Sequence, residues 1–381
     1  MNVRLAQQPS AQRLGDQAQT AIQALHIDPV LLMGLLAICL LSLPALYSAG
    51  GGVLVFPTQQ AVRLGIGFAA MLVVAQIKPS HLLRMAIPLY IMGILGLISV
   101  FFGGSIVKGA RRWLDFGFFS IQPAEFMKVI LPLTLSALFQ RWHTLTPALL
   151  ILVVLPLTAL PCLLIAEQPD LGTAISVAMG AAVVIFLAGI SLKLLLVLGG
   201  LGVVAVPVAW HILHDYQRQR LLTFLDPEAD PLGAGYHGIQ ARIAIGSGGL
   251  MGKGWLHGSQ SQLHFLPERT TDFIFAVFGE EFGLIGLATL LGLCLLVCLR
   301  GLMIAYRAQT MFERLLAGSL SLSFFGYCSI NMAMVTGMLP VVGIPLPLFS
   351  YGGTSTLVTL AGFGMIMSIH THRTWAISAL S

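Results

Sequence analysis

Long runs of Leu, Val, Ile, Ala and Gly recur along the chain, each bounded by a short polar segment. About 20 apolar residues in helical form cross the hydrocarbon core of a bilayer. Ten runs qualify: 29–48, 60–77, 83–102, 123–140, 146–165, 172–190, 193–213, 273–299, 314–338 and 353–371. Pro within 123–140 and 146–165 predicts tilted or broken helices there. The pattern predicts an all-α polytopic membrane protein with a single ten-helix membrane domain over 29–371. Residues 1–28 are polar and lack the apolar core and cleavage site of a signal peptide. Leu14, Ala18, Ile22 and Leu25 recur there at helical spacing, predicting a short helix on the membrane surface. Residues 372–381 form a short tail.

Two connections are too long to be simple turns, 103–122 and, above all, 214–272. Structureless loops beyond about 15 residues are usually functional or disordered. The second has no low complexity and no charge run, and it holds nine glycines between Gly233 and Gly258. It is expected to fold over the membrane surface. No soluble domain and no internal repeat are visible.

Composition sharpens this picture: 57% of the 381 residues are hydrophobic and 9% are charged. A soluble domain carries about 25% charged residues, so most side chains here face lipid or protein. The formal charge of +5 does not point to nucleic acid, because the basic residues sit in short loops between apolar runs. Placing the N-terminus in the cytoplasm collects Arg4, Arg13, Lys78, Arg84, Arg141, Lys193, Arg300, Arg307, Arg314 and Arg373 inside. The positive-inside rule favours that orientation, and ten spans return the C-terminus to the same side. The acidic residues are biased to the other face, which chemistry on the outer face would explain. The five cysteines lie in apolar runs without metal-like spacing and read as buried thiols.

Several polar stretches carry candidate chemistry. "GSGGLMGKG" (246–254) departs from the phosphate-loop pattern at Ser247 and Gly254. It reads either as a structural turn or as an amide nest for an anion with Lys253 beside it. "KGARRWLDFG" (108–117) places Arg111, Arg112 and Trp113 in the first outer loop, either as an interfacial anchor or as a contact for diphosphate. In "QPAEFMK" (122–128), Pro123 starts a helix, and Glu125 and Lys128 stand three residues apart on one face, able to pair. That pair is either a structural tie or part of a site. "EQPD" (167–170) is a similar polar knot. In "PERTTDFIFAVFGEE" (267–281), Asp272 stands at the outer mouth of a span, as a helix cap or as a general base acting on a hydroxyl.

Together these stretches resemble the SEDS family (shape, elongation, division and sporulation proteins). The segment from Tyr216 to Gly286 is similar to its signature outer loop, and "NMAMVTGMLPVVGIPLPLFSYGGTS" (331–355) to its closing signature. "RRWLDFG", "QPAEFMK" and "EQPDLGTA" match as well, so the resemblance covers nearly the whole chain after the first thirty residues. "FLPERTTDFIF" and "VVGIPLPLFSYGGTS" are closer to the rod-shape branch than to the division branch. Ala124 departs from the Ser that many members carry.

The resemblance implies a ten-helix peptidoglycan glycosyltransferase that polymerises lipid II at the outer leaflet. Its partners would be a class B penicillin-binding protein, a transpeptidase that cross-links the product, and other components of the elongation machinery. The family's essential aspartate falls on Asp272, its Glu–Lys pair on Glu125 and Lys128, and its loop Trp on Trp113. Lipid II carries its own leaving group, so no cofactor is required, and a divalent cation remains open. Arg111, Arg112, Arg220 and Lys253 are the candidates for the leaving diphosphate. Two other readings stand beside this one: a lipid II transporter working through the Glu125–Lys128 region, and a non-catalytic scaffold that activates a transpeptidase.

Overall fold

The computed structural model describes residues 26–107, 110–117, 119–142, 147–189, 236–263, 265–266 and 268–372, together with 200, 218 and 222–224. Outside these lie the expected span 193–213 apart from residue 200, the N-terminal surface helix, Arg220 and most of 214–235.

Every other expected span is a helix. They are α1 (Pro29–Ala49), α2 (Val55–Ala75), α3 (Pro79–Gly103), α4 (Pro123–Arg141), α5 (Pro147–Glu167) and α6 (Leu171–Leu187). After two helices of the long 214–272 connection, α7 (Tyr236–Gly248) and α8 (Ser259–Gln262), follow α9 (Ile274–Tyr306), α10 (Met311–Val335) and α11 (Thr354–Thr371). The helix starts follow local chemistry. Asp28 caps α1 by accepting from Leu31 N at 2.8 Å, and Asp170 caps α6 by accepting from Thr173 N at 3.2 Å. Thr310 and Glu313 form a reciprocal capping box at α10. Pro29, Pro79 and Pro123 occupy first turns, where a missing N–H removes no helical bond.

The expected break in 123–140 and 146–165 does not occur: α4 runs through Pro132, and α5 through Pro156 and Pro161. The interrupted helix is α9 instead, where Gly283 adopts φ 64° and ψ −163° and separates a short outer segment from the long span. Its cause is the glycine-rich stretch. Leu284 N and Ile285 N donate to Gly249 O and Leu250 O, while Lys253 N and Gly254 N donate to Glu280 O and Glu281 O. The outer loop thus splices its backbone into the kink. A Cβ on Gly252 would lie 2.0 Å from Glu281 O, so only glycine permits the approach.

The first outer loop forms a small antiparallel sheet, β1 (Ser105–Val107), β2 (Ala110–Asp115) and β3 (Ser120–Ile121), in the order β1-β2-β3. One core joins α1, α2, α9, α10 and α11, and a second lies among α3, α4, α5 and α6. One end of the molecule gathers Asp28, Arg300 and His370, with Ser368 donating to Ile77 O. The opposite end gathers Ser48, Glu281 and the outer-loop helices. Asp272 lies at this second end, at the start of α9.

Candidate functional site

Asp272 occupies the last turn before α9 and is half-buried, neither sealed in the core nor fully in solvent. Its turn is held from the side of the closing signature. Three consecutive carbonyls are taken: Thr270 O accepts from Tyr351 N at 2.9 Å, Thr271 O from Ser350 Oγ at 2.6 Å, and Asp272 O from Asn331 Nδ2 at 3.0 Å. Asn331 Nδ2 also donates to Ile344 O at 2.7 Å, and Ser350 Oγ accepts from Leu346 N at 2.8 Å. Gln60, fully buried on α2, donates to Ser350 O at 3.3 Å and accepts from Gly352 N at 3.4 Å. Arg63, one turn along α2, lies over the Tyr351 ring at 4.1 Å. The facing turns each carry a non-glycine residue in the left-handed region, Glu268 at φ 52° and Leu348 at φ 64°. Such conformations persist where the surroundings over-determine them.

The loop 342–344 lies between Asp272 and a second polar group. A Cβ on Gly343 would stand 3.5 Å from Asp272 Oδ2, and a Cβ on Gly172 would meet Val342 O at 2.7 Å. Gly172 follows Asp170, whose carboxylate accepts from Gln122 Nε2 at 2.7 Å and faces Arg112 Nη1 at 3.9 Å. Arg112 also donates to Gln168 O at 3.2 Å and to Pro169 O. The closing signature therefore links the Asp272 turn to the knot at 167–170.

Arg111 and Arg112 reach different partners. Successive residues of a strand point to opposite faces. Arg112 turns to the knot, whereas exposed Arg111 reaches Phe101 O at 3.4 Å. Trp113, half-buried, pairs in register with Ser105. Lys253 is engaged with Glu280, Nζ to Oε1 at 2.7 Å, and with Ser259 Oγ at 2.9 Å. The amides of Gly252, Lys253 and Gly254, which an anion nest would need, donate to Gly248, Glu280 and Glu281 carbonyls. The glycine-rich stretch is a structural splice. Arg220 lies outside the described residues.

Glu125 and Lys128 pair as their spacing predicts, at 2.6 Å and with both side chains buried. Lys128 Nζ also stands 5.5 Å from the centre of the Tyr327 ring. Beside them is a cavity of about 30 Å³, lined in part by Ser323 and Tyr327. That space matches about one water molecule.

The sequence reasoning missed Asn331, Ser350, Tyr351, Gln60, Arg63 and His237. The His237 ring lies parallel to Phe273, next to Asp272, with centroids 6.0 Å apart. Burial holds His237 below its ordinary pKa, opposed by the carboxylate of Glu268. A buried Asn and Gln inside apolar helices are a signal that was available, since each must answer for its hydrogen bonds. Among the described residues no group of three or more His, Cys, Asp or Glu stands together as a metal site.

Known proteins resemble the chain over nearly its full length. The family model for FtsW, RodA and SpoVE, described as cell cycle protein, matches residues 21–375. The peptidoglycan glycosyltransferase MrdB of Escherichia coli K12 is 51% identical over 350 residues, covering 91% of this chain and 94% of the relative. A probable peptidoglycan glycosyltransferase FtsW of Trichlorobacter lovleyi is 35% identical, over 90% and 92% of the two chains. Among solved structures, a chain of a peptidoglycan synthase complex that coordinates polymerization and crosslinking superposes with a TM-score of 0.80. The two are 33% identical over 91% of this chain and 98% of that one. The rod shape determining protein RodA of Thermus thermophilus superposes at 0.70, with 30% identity over 91% and 97%.

Proposed function

The chain belongs to the FtsW, RodA and SpoVE family of cell cycle proteins, and from that membership we propose that it is a peptidoglycan glycosyltransferase. It polymerises lipid II into glycan strands for lateral wall growth and rod shape. Asp272 serves as the general base.

The acceptor sugar's 4-hydroxyl attacks the anomeric carbon of the donor, and its proton passes to the Asp272 carboxylate. The bond from that carbon to the diphosphate oxygen breaks, and undecaprenyl diphosphate leaves with the electron pair. An α-linked donor giving a β-linked product requires one inverting displacement, so no second carboxylate nucleophile is needed. General-base assistance of this kind contributes about 10²–10⁴-fold. Arg112 and the exposed Arg111 are the cations of the first outer loop nearest in role to the leaving group.

The observation that carries this reading is the half-buried Asp272 carboxylate on an ordered turn at the mouth of α9, beside Gly343. The protein works in the cytoplasmic membrane of a bacterium, with both termini inside and the Asp272 end outside. Its partner is a class B penicillin-binding transpeptidase, in keeping with the likeness to a synthase-complex chain.

Reconstituted protein supplied with labelled lipid II on its accessible side is expected to make glycan chains. Asp272→Ala should abolish them while leaving thermal stability in detergent unchanged. Polymer from Asp272→Ala at the wild-type rate removes the base assignment. Transfer of lipid II across vesicles with no polymer from either protein favours a transporter.

A further inference from the structure

The turn that carries Asp272 is fixed at three successive carbonyls, and all three donors come from residues 331–351. Tyr351 supplies a backbone N–H, but Asn331 and Ser350 use side chains. Each of those side chains is buried, at 0% and 4% exposure, and each makes two bonds that join different segments. Asn331 ties Asp272 O to Ile344 O, and Ser350 ties Thr271 O to Leu346 N. Asn331 does this at a cost, because its Oδ1 is buried with no partner. A buried acceptor left without a bond is destabilising, whereas an apolar residue of similar shape would incur no such penalty. A side chain retained under that penalty is retained for its amide donors.

We propose that Asn331 and Ser350 are positioning residues for the glycosyl transfer, setting where the Asp272 carboxylate stands relative to the attacking hydroxyl. This rests on Asp272 being the base. The two side chains act on the backbone only, so neither touches substrate. The loop 342–344 gives the clamp its second function. Through Ile344 O, Asn331 fixes the segment that separates Asp272 from the Asp170–Arg112 knot. One amide group thereby holds both the Asp272 turn and the segment beside the knot. Gln60 supports the same turn from α2. A displacement of about 1 Å in a reacting group costs on the order of 10²-fold in rate.

The test compares Asn331→Leu, Ser350→Ala, Ser350→Thr and Asp272→Ala in the full chain, reconstituted with labelled lipid II. Steady-state polymerisation and thermal unfolding in detergent are measured for each. Asn331→Leu and Ser350→Ala are expected to lose about 10²-fold in kcat with KM within about twofold of wild type. Ser350→Thr, which keeps the hydroxyl, is expected to recover most of the loss. The double variant should lose less than the product of the single losses, because both act on one turn. If Asp272→Ala is inactive while Asn331→Leu and Ser350→Ala keep wild-type kcat, the positioning role is wrong and the base assignment stands. If Asp272→Ala remains active, the base assignment itself is wrong. A rise in KM, or a kcat loss that Ser350→Thr does not relieve and that follows a fall in melting temperature, reduces both residues to structural ties. Should Asn331→Leu fail to fold, the Ser350 pair of variants decides alone.

Discussion

Two carboxylate–ammonium pairs, each with a buried carboxylate, sit in opposite circumstances. Glu280 is saturated: besides Lys253 Nζ it accepts from Ser259 Oγ at 3.1 Å, Gln260 N at 3.0 Å and Ser261 N at 3.3 Å. Glu125 has Lys128 at 2.6 Å and a small cavity at its side. A carboxylate whose lone pairs are all taken serves as a post to which backbone is tied. Here it fastens the outer loop to the kink of α9. A pair with lone pairs and space in hand retains freedom to reorganise or to meet another group. Ion-pair distance alone does not separate the two, and the surrounding donors do.

The sharpest way to break the comparison is Glu125→Ala, which strands Lys128 in the core. About 3–5 kcal/mol of stability should go, read as a loss of folded protein in detergent. The double change Glu125→Gln with Lys128→Met removes both charges and should restore folding. Polymerisation that stays absent in the refolded double variant marks the pair as part of the working site. Its return to the wild-type rate would make Glu125–Lys128 as structural as Glu280–Lys253.

Glu280→Ala should cost less, on the order of 2–3 kcal/mol, because Lys253 is 29% exposed and can turn to water. The amides of Gln260 and Ser261 lose their acceptor as well. Limited proteolysis of the outer loop should accelerate, and activity should fall only in proportion to folded protein. A selective loss of kcat with the loop intact would contradict the structural assignment.

The smallest effect belongs to a third polar cluster, at the opposite end of the bundle. Burial pushes the Asp28 carboxyl up, but Arg300, the Leu31 N–H and His370 together bring it below its ordinary value. Next to it His26 and His372 stack with centroids 4.1 Å apart, and burial followed by His372 holds His26 below its ordinary value. A depressed histidine pKa means that the fold prefers the neutral ring. That stabilisation is complete above the unfolded value and is lost as pH falls through the lower folded one. The melting temperature should therefore be level from pH 8 to 7 and decline below about pH 6.5. His26→Gln should flatten the decline, and an unchanged slope would assign it to other groups.

Much of the architecture was legible because hydropathy and helical period are properties of consecutive residues. The run 29–48 became Pro29–Ala49, and 353–371 became Thr354–Thr371. Glu125 and Lys128, three apart, met as a helix requires. The separate partners of Arg111 and Arg112 were not legible, because a strand sends adjacent residues to opposite faces and no helical or strand pattern marks so short a sheet. The glycines of 246–254 left turn and nest both open, and what chose between them was backbone approach to α9, which depends on residues some thirty positions further on.

By itself, then, the order of residues determined that this is a membrane-spanning helical protein, roughly where most of its helices lie, and that a carboxylate, Asp272, precedes one of them. Only the folded chain decided which polar groups meet. Asn331 reaches Asp272 across 59 residues and Ser350 reaches Thr271 across 79. Hydrogen bonds of that separation leave no periodic trace, since they are created by helix packing and are directional over only about 3 Å. A one-dimensional pattern records how much of a face is buried. The partner each buried polar atom finds is settled in three dimensions.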